Sequence, residues 1–295
     1  MKFNTIRGSM VALITPFLED GNVNYSKLEE LIEWHIKEQT DGVLVLGTTA
    51  ETPALTVTEK DEIARIAIAT SAGRVPIIVG SGSNNTFVAR EESIKYQDMG
   101  ADALLVITPY YNKTNKAGMI QHFTEIADAV DTPIYVYNVP GRTGVSLTYE
   151  ALEEISQHKN IVGIKEASGN ISFVSQVSRL IRDDFNVYSG NDDMIIPLMS
   201  LGGAGVISVF ANILPRQTHE MAMAYINGDR EKAAKMQLHY LDFINALFIE
   251  TNPIPIKEAM NLVGMDVGQY RLPLCGMEDS TKAKLISTME EIHLL

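Results

Sequence analysis

Asn160-Ile161-Val162-Gly163-Ile164-Lys165-Glu166-Ala167-Ser168-Gly169-Asn170 begins as a short apolar run and delivers an ammonium group where that run stops. Lysine is rarely buried unless something pairs with it or uses it there. A lysine at the carboxyl end of a strand in a parallel α/β protein lies on the face where such proteins bind ligands. Lys165 is therefore a candidate imine-forming amine, set against the plainer use of a strand-terminal lysine facing solvent. The choice depends on whether the rest of the chain builds such a sheet.

On both sides of this stretch, short β-prone runs alternate with helical periodicity. Toward the N-terminus the runs are Met10 to Phe17, Gly42 to Gly47, Val75 to Gly80, Ala101 to Thr108 and Pro133 to Tyr137. Beyond Lys165 they are Phe185 to Ser189 and Gly205 to Phe210. Between them the spacing of apolar residues predicts helices over 25–39, from a Thr58 cap to near Gly73, and over 86–99, 118–130, 149–157, 171–182 and 194–201. Continuous apolar strands fit a parallel sheet buried on both faces. Eight βα units at a spacing of roughly 25–30 residues favour an eight-stranded (β/α)8 TIM barrel over a doubly wound sheet. No Gly-x-Gly-x-x-Gly follows the first strand, which weakens a dinucleotide-binding reading. From Pro215 onward only helices are predicted, over 217–227, 230–250, 256–263 and 281–294. The expected organisation is a catalytic barrel over 1–228 with a C-terminal helical domain over 229–295.

Composition narrows the function. A chain of 295 residues with 45% hydrophobic and 21% charged residues reads as a folded globular enzyme, not a disordered tract. The formal net charge of −13 argues against nucleic acid or an anionic membrane as partner. It also means that a carboxylate substrate needs local positive charge or N–H donors in its pocket. The single cysteine, Cys275, permits no intrachain disulfide. The N-terminal stretch Met1 to Arg7 lacks a sustained apolar region, and no run is long enough to span a bilayer. A cytoplasmic location is expected.

The predicted strand ends gather a coherent set: Thr48 and Thr49, Tyr111, Tyr137, Lys165, and Ser189-Gly190-Asn191-Asp192-Asp193. A desolvated lysine amine attacks a ketone. A tyrosine hydroxyl, alone or relayed through threonine, moves the protons that imine formation requires. A Gly-Thr-Thr turn offers donors to one carboxylate, and Arg142 grips another in bidentate fashion. Each residue also has a plain structural use; Asp192-Asp193 reads better as a helix N-terminus than as a catalytic pair. None of the six histidines lies at a strand end, so no metal site is expected.

The segments GTTAE (47–51), ITPYYNK (107–113), YNVPGRTG (137–144), GIKEASGN (163–170), YSGND (188–192), GVISV (205–209) and NPIPIK (252–257) together resemble the dihydrodipicolinate synthase, or 4-hydroxy-tetrahydrodipicolinate synthase, family. That family belongs with the pyruvate-dependent, class I aldolase-like barrels that include N-acetylneuraminate lyase. The resemblance spans nearly the whole chain, in order. It implies that Lys165 forms an imine with pyruvate and that Tyr137 is the acid/base over it. It implies further that Thr48 links Tyr137 to a Tyr111 offered across a tight dimer interface. Thr48 and Thr49 would hold the pyruvate carboxylate, Arg142 the carboxylate of L-aspartate 4-semialdehyde, and Gly190 and Ile207 would line the pyruvate pocket. No cofactor is implied beyond the covalent imine, and the usual assembly is a homotetramer built as a dimer of dimers. Ala50 and Gly141 depart from the family's frequent glycine and serine, and both changes are expected to be tolerated. Asn84 and Tyr110 match the site where sensitive relatives bind the feedback inhibitor L-lysine. Val57, Lys60 and Val88 replace that site's histidines and acid, so weak or absent inhibition is expected.

Overall fold

The computed structural model describes residues 5–295, so the first four residues of the stretch read for a leader lie outside the described residues. Eight parallel strands close into a barrel in sequence order. They are β1 (Gly8–Ala12), β2 (Gly42–Val45), β3 (Ile77–Gly80), β4 (Ala103–Ile107), β5 (Ile134–Asn138), β6 (Ile161–Glu166), β7 (Asn186–Ser189) and β8 (Gly205–Ser208). Their side chains are buried almost throughout, as the continuous apolar runs require. The expected (β/α)8 fold with C-terminal helices is what forms. Close packing divides the chain into two compact units, Met1–Gly8 with Pro76–Ile207, and Ser9–Val75 with Ser208–Leu295. Among the described residues, no helix is long and apolar enough to cross a membrane.

In the first unit, the register of β5 on β6 shifts by one residue. Ile134 pairs with Ile161, but Tyr135 pairs with Gly163, which leaves Val162 as an extra residue in β6. Because strand side chains alternate, one inserted residue reverses which face every later side chain occupies. The shift sets Lys165 beside Tyr137 and Glu166 beside Asn138. Gly163 permits it: a Cβ there would lie 2.5 Å from the Asn186 carbonyl oxygen. No larger residue fits so close to a backbone oxygen.

In the second unit three expectations need correction. The apolar run Met10 to Phe17 leaves the sheet after Ala12. There the Asn212 carboxamide takes over the backbone bonding, donating to the Ala12 oxygen (2.8 Å) and accepting from the Ile14 nitrogen (3.0 Å). The helix cap is Thr56, not Thr58: Thr56 and Glu59 form a reciprocal capping box at the start of the helix Val57–Ser71. The Thr-x-x-Glu spacing carried that signature. The helix expected over 230–250 divides into Arg230–His239 and Leu241–Ala246. Tyr240 sits at the break, its ring 5.3 Å from that of Phe210.

Candidate active site

Lys165 is 5% exposed at the carboxyl end of β6. Its Nζ lies over the Tyr137 ring, 4.6 Å from the centroid. Burial pushes the amine down from 10.5 to about 8; the nearby charge of Asp192 pulls it back up, and that of Arg142 pushes it further down. Desolvation dominates because an ammonium loses its hydration on burial. At neutral pH roughly a tenth of such a group is the free amine, against a few parts in ten thousand for an exposed lysine.

The loop after β7 closes over this amine. A Cβ on Gly190 would lie 2.6 Å from the Ala167 Cβ and 3.1 Å from the Lys165 Cε, so only glycine leaves room there. Asp192, 1% exposed, follows in a short 3-10 turn, Asp192–Met194, that leads into the helix Ile195–Ser200. The expected helix start is there. The charge of Asp192 also bears on Lys165, a relation the local pattern did not show.

On the opposite face of the same two strands, Asn138 Nδ2 donates to Glu166 Oε2 (2.7 Å), and the Ser168 nitrogen donates to Glu166 Oε1 (2.7 Å). The Leu147 nitrogen donates to Asn138 Oδ1 (3.1 Å). Burial pushes the Glu166 carboxyl up, and these donors oppose that shift. The network ties both ends of the 138–147 loop to the Lys165 strand. That loop contains the helical turn Pro140–Thr143, stopped by Gly144 in the left-handed region (φ 67°), and it presents an exposed Arg142. Asn138 and Glu166 were not singled out from sequence, although both stand in the quoted motifs.

Tyr111, beyond the end of β4, is 90% exposed and holds a left-handed φ of 67°. Ile207 is buried within β8. The structure thus brings Lys165, Tyr137 and Gly190 together, while Tyr111 projects away from its own chain.

In the second unit, Thr48 and Thr49 form the 3-10 turn Thr48–Ala50 after β2. Thr15 Oγ1 donates to the Ala50 oxygen (2.7 Å) and Thr52 Oγ1 to the Gly47 oxygen (2.7 Å). Glu51 follows with a left-handed φ of 55°. Its carboxylate meets the fully buried Lys257 ammonium at 2.8 Å, and the Arg271 nitrogen donates to its other oxygen (3.0 Å). Lys257 Nζ also donates to the Gln269 and Thr15 carbonyl oxygens and lies 4.4 Å from the Phe17 ring centroid. Arg271 bonds Glu59 and the Gly21 and Ala54 oxygens, and it holds the Glu59 carboxyl down at about 2. Among the described residues, no three His, Cys, Asp or Glu side chains gather as metal ligands.

Residues 5–292 match the Dihydrodipicolinate synthetase family. The chain belongs to that family. A 4-hydroxy-tetrahydrodipicolinate synthase of Thermoanaerobacter sp. (strain X514) is 54% identical over 290 residues, 98% of this chain and 97% of the relative. The crystal structure of dihydrodipicolinate synthase from Aquifex aeolicus superposes with a TM-score of 0.95 at 40% identity, covering 98% of each chain. That of DHDPS from Cyanidioschyzon merolae with lysine bound gives a TM-score of 0.95 at 38% identity, covering 98% of this chain and 99% of that one. The Dihydrodipicolinate synthetase family is one of class I aldolase-like lyases, and this chain is an enzyme of that kind.

Proposed function

We propose that the chain condenses pyruvate with L-aspartate 4-semialdehyde to 4-hydroxy-tetrahydrodipicolinate, on the route to lysine and diaminopimelate. The observation that carries this reading is the buried Lys165 amine, pushed down to about 8 beside the Tyr137 ring. The neutral amine attacks the pyruvate keto carbon. The carbinolamine loses water as Tyr137 supplies a proton to the departing hydroxyl. Loss of a methyl proton then gives an enamine, which attacks the aldehyde carbon of the second substrate. The aldehyde oxygen takes up a proton, and the second substrate's amino group displaces the lysine nitrogen from the imine, closing the ring and freeing the Lys165 amine. Thr48 and Thr49 hold the pyruvate carboxylate and Arg142 that of the semialdehyde, supplying locally what a net charge of −13 opposes globally. Gly190 and Ile207 line the pocket. The protein needs no cofactor or metal beyond the imine.

The exposure and left-handed backbone of Tyr111 support its use outside its own chain, as a donor to a neighbouring subunit's relay through Thr48. The assembly proposed is a homotetramer, a dimer of such dimers. Residues 1–228 serve as the catalytic barrel and 229–295 as a helical extension, in a cytoplasmic enzyme.

Purified protein is expected to consume pyruvate only when L-aspartate 4-semialdehyde is added, and to neither cleave nor form sialic or 2-keto-3-deoxy sugar acids. Turnover of a sugar acid in preference to the semialdehyde would replace this reading with another pyruvate aldolase. The same initial-rate assay tests regulation. Val57 and Val88 present exposed apolar side chains, and Lys60 adds a cation, where an inhibitor's ammonium needs an acid. Submillimolar L-lysine is therefore expected to leave the rate unchanged; a saturable loss of rate in that range would contradict it.

A further inference from the structure

We infer that Asn252 is a positioning residue for Thr49, making the start of the C-terminal helical segment part of the pyruvate-carboxylate site. The inference rests on the proposed role of Thr49 as a carboxylate ligand. Asn252 Nδ2 donates to Thr49 Oγ1 at 3.0 Å, and the two side chains are 5% and 2% exposed. A hydroxyl has one proton and two lone pairs. By accepting from Asn252, the Thr49 oxygen commits a lone pair to the protein and leaves its proton for another acceptor. An anionic carboxylate is the acceptor that gains most from such an aimed donor.

The contact joins residues 203 positions apart, and a second set of bonds keeps its two sides in place. Asn252 lies two residues before the helix Ile254–Leu262, which Pro253 caps and which carries Lys257. Lys257 is fully buried on Glu51, two residues beyond Thr49. Arg271 fastens the same Glu51 through its backbone nitrogen and Glu59 through its guanidinium. The turn carrying Thr49 is thus held by Lys257 and Arg271 while Asn252 sets the direction of one hydroxyl. Holding a ligand group in one orientation before substrate arrives lowers the cost of binding.

Asn252→Asp tests this directly, because it keeps the shape and reverses the bond. A carboxylate only accepts, so it draws the Thr49 proton to itself and places negative charge behind the substrate anion. The expected result is a rise in KM for pyruvate of roughly tenfold or more, set by loss of a hydrogen bond to a charged group. The KM for the semialdehyde should move little, while the buried carboxylate lowers the melting temperature. Asn252→Leu, which deletes the donor without adding charge, should raise the pyruvate KM by a smaller factor; it gives the answer if the aspartate variant does not fold. Thr49→Val should raise the pyruvate KM by itself, and adding the uncharged Asn252→Leu to it should raise it no further. If Thr49→Val raises the pyruvate KM and neither Asn252 variant does, the positioning role is overturned while the carboxylate reading stands. If Thr49→Val leaves that KM unchanged, the carboxylate reading fails and takes the inference with it.

Discussion

Lys165→Ala is expected to lower turnover by on the order of a thousandfold or more, because it removes the amine proposed to bond to substrate. Lys165→Arg should not restore it. A guanidinium keeps the positive charge beside Asp192 but does not deprotonate, so it offers no nucleophile. The comparison separates a covalent role from an electrostatic one; an arginine variant that retained much of the rate would favour the latter. The pH dependence carries the same information in the wild type. Burial stabilises the neutral amine and pushes the group to about 8. Imine formation should therefore accelerate as pH rises through about 8, as the ammonium loses its proton, and level off above it. A rate that climbs unbroken toward the 10.5 of an ordinary lysine would show an amine that is not desolvated.

Lys257→Met is expected to destabilise the protein by about 3–5 kcal/mol, because it leaves the Glu51 carboxylate buried without its partner. Both side chains are at most 1% exposed, so water does not substitute for the lost cation. The cost should fall on the turn that carries Thr48 and Thr49, through the left-handed Glu51 and the Arg271 bond beside it. Pairing the change with Glu51→Gln should recover part of the loss, since a neutral carboxamide is far cheaper to bury than an unpaired charge. Equilibrium denaturation of the two single variants and the double variant measures this. A Lys257→Met protein as stable as the parent would show that the ion pair contributes nothing to the fold, as some buried pairs do not.

The barrel was legible in the sequence because its signal is local and repeated. Each strand is a short apolar run ended by turn residues, and each helix keeps its own period. Lys165, Tyr137 and Thr48 were legible as strand-end residues on the same grounds. What escaped depends on contacts that no local window contains. Val162 reads as one more apolar strand residue, and only pairing with β5 reveals it as the insertion that aims Lys165. Glu166 beside a candidate catalytic lysine reads as an ordinary acid, yet it ties Asn138 to Ser168 behind the site. Lys257 lies on a helix of the C-terminal segment, where lysine ordinarily faces solvent, and its burial follows from a glutamate 206 positions earlier. The capping threonine is a different case. Thr56 and Glu59 carry the spacing of a capping box, so the signal favouring Thr56 over Thr58 is local and present in the sequence. The 228/229 boundary drawn from sequence separates Asn252 from Thr49 and Lys257 from Glu51, pairs that share the second compact unit. Through Asn252 the C-terminal helical segment bonds Thr49, one of the proposed ligand residues.

Incubating the protein with pyruvate and sodium borohydride, digesting it and mapping the reduced adduct by mass spectrometry tests whether Lys165 is the amine that bonds to pyruvate. The expected result is one pyruvate-derived adduct per chain on the peptide containing Lys165, absent from Lys165→Ala. An adduct confined to another lysine, or none at all in protein that still turns over, would contradict it.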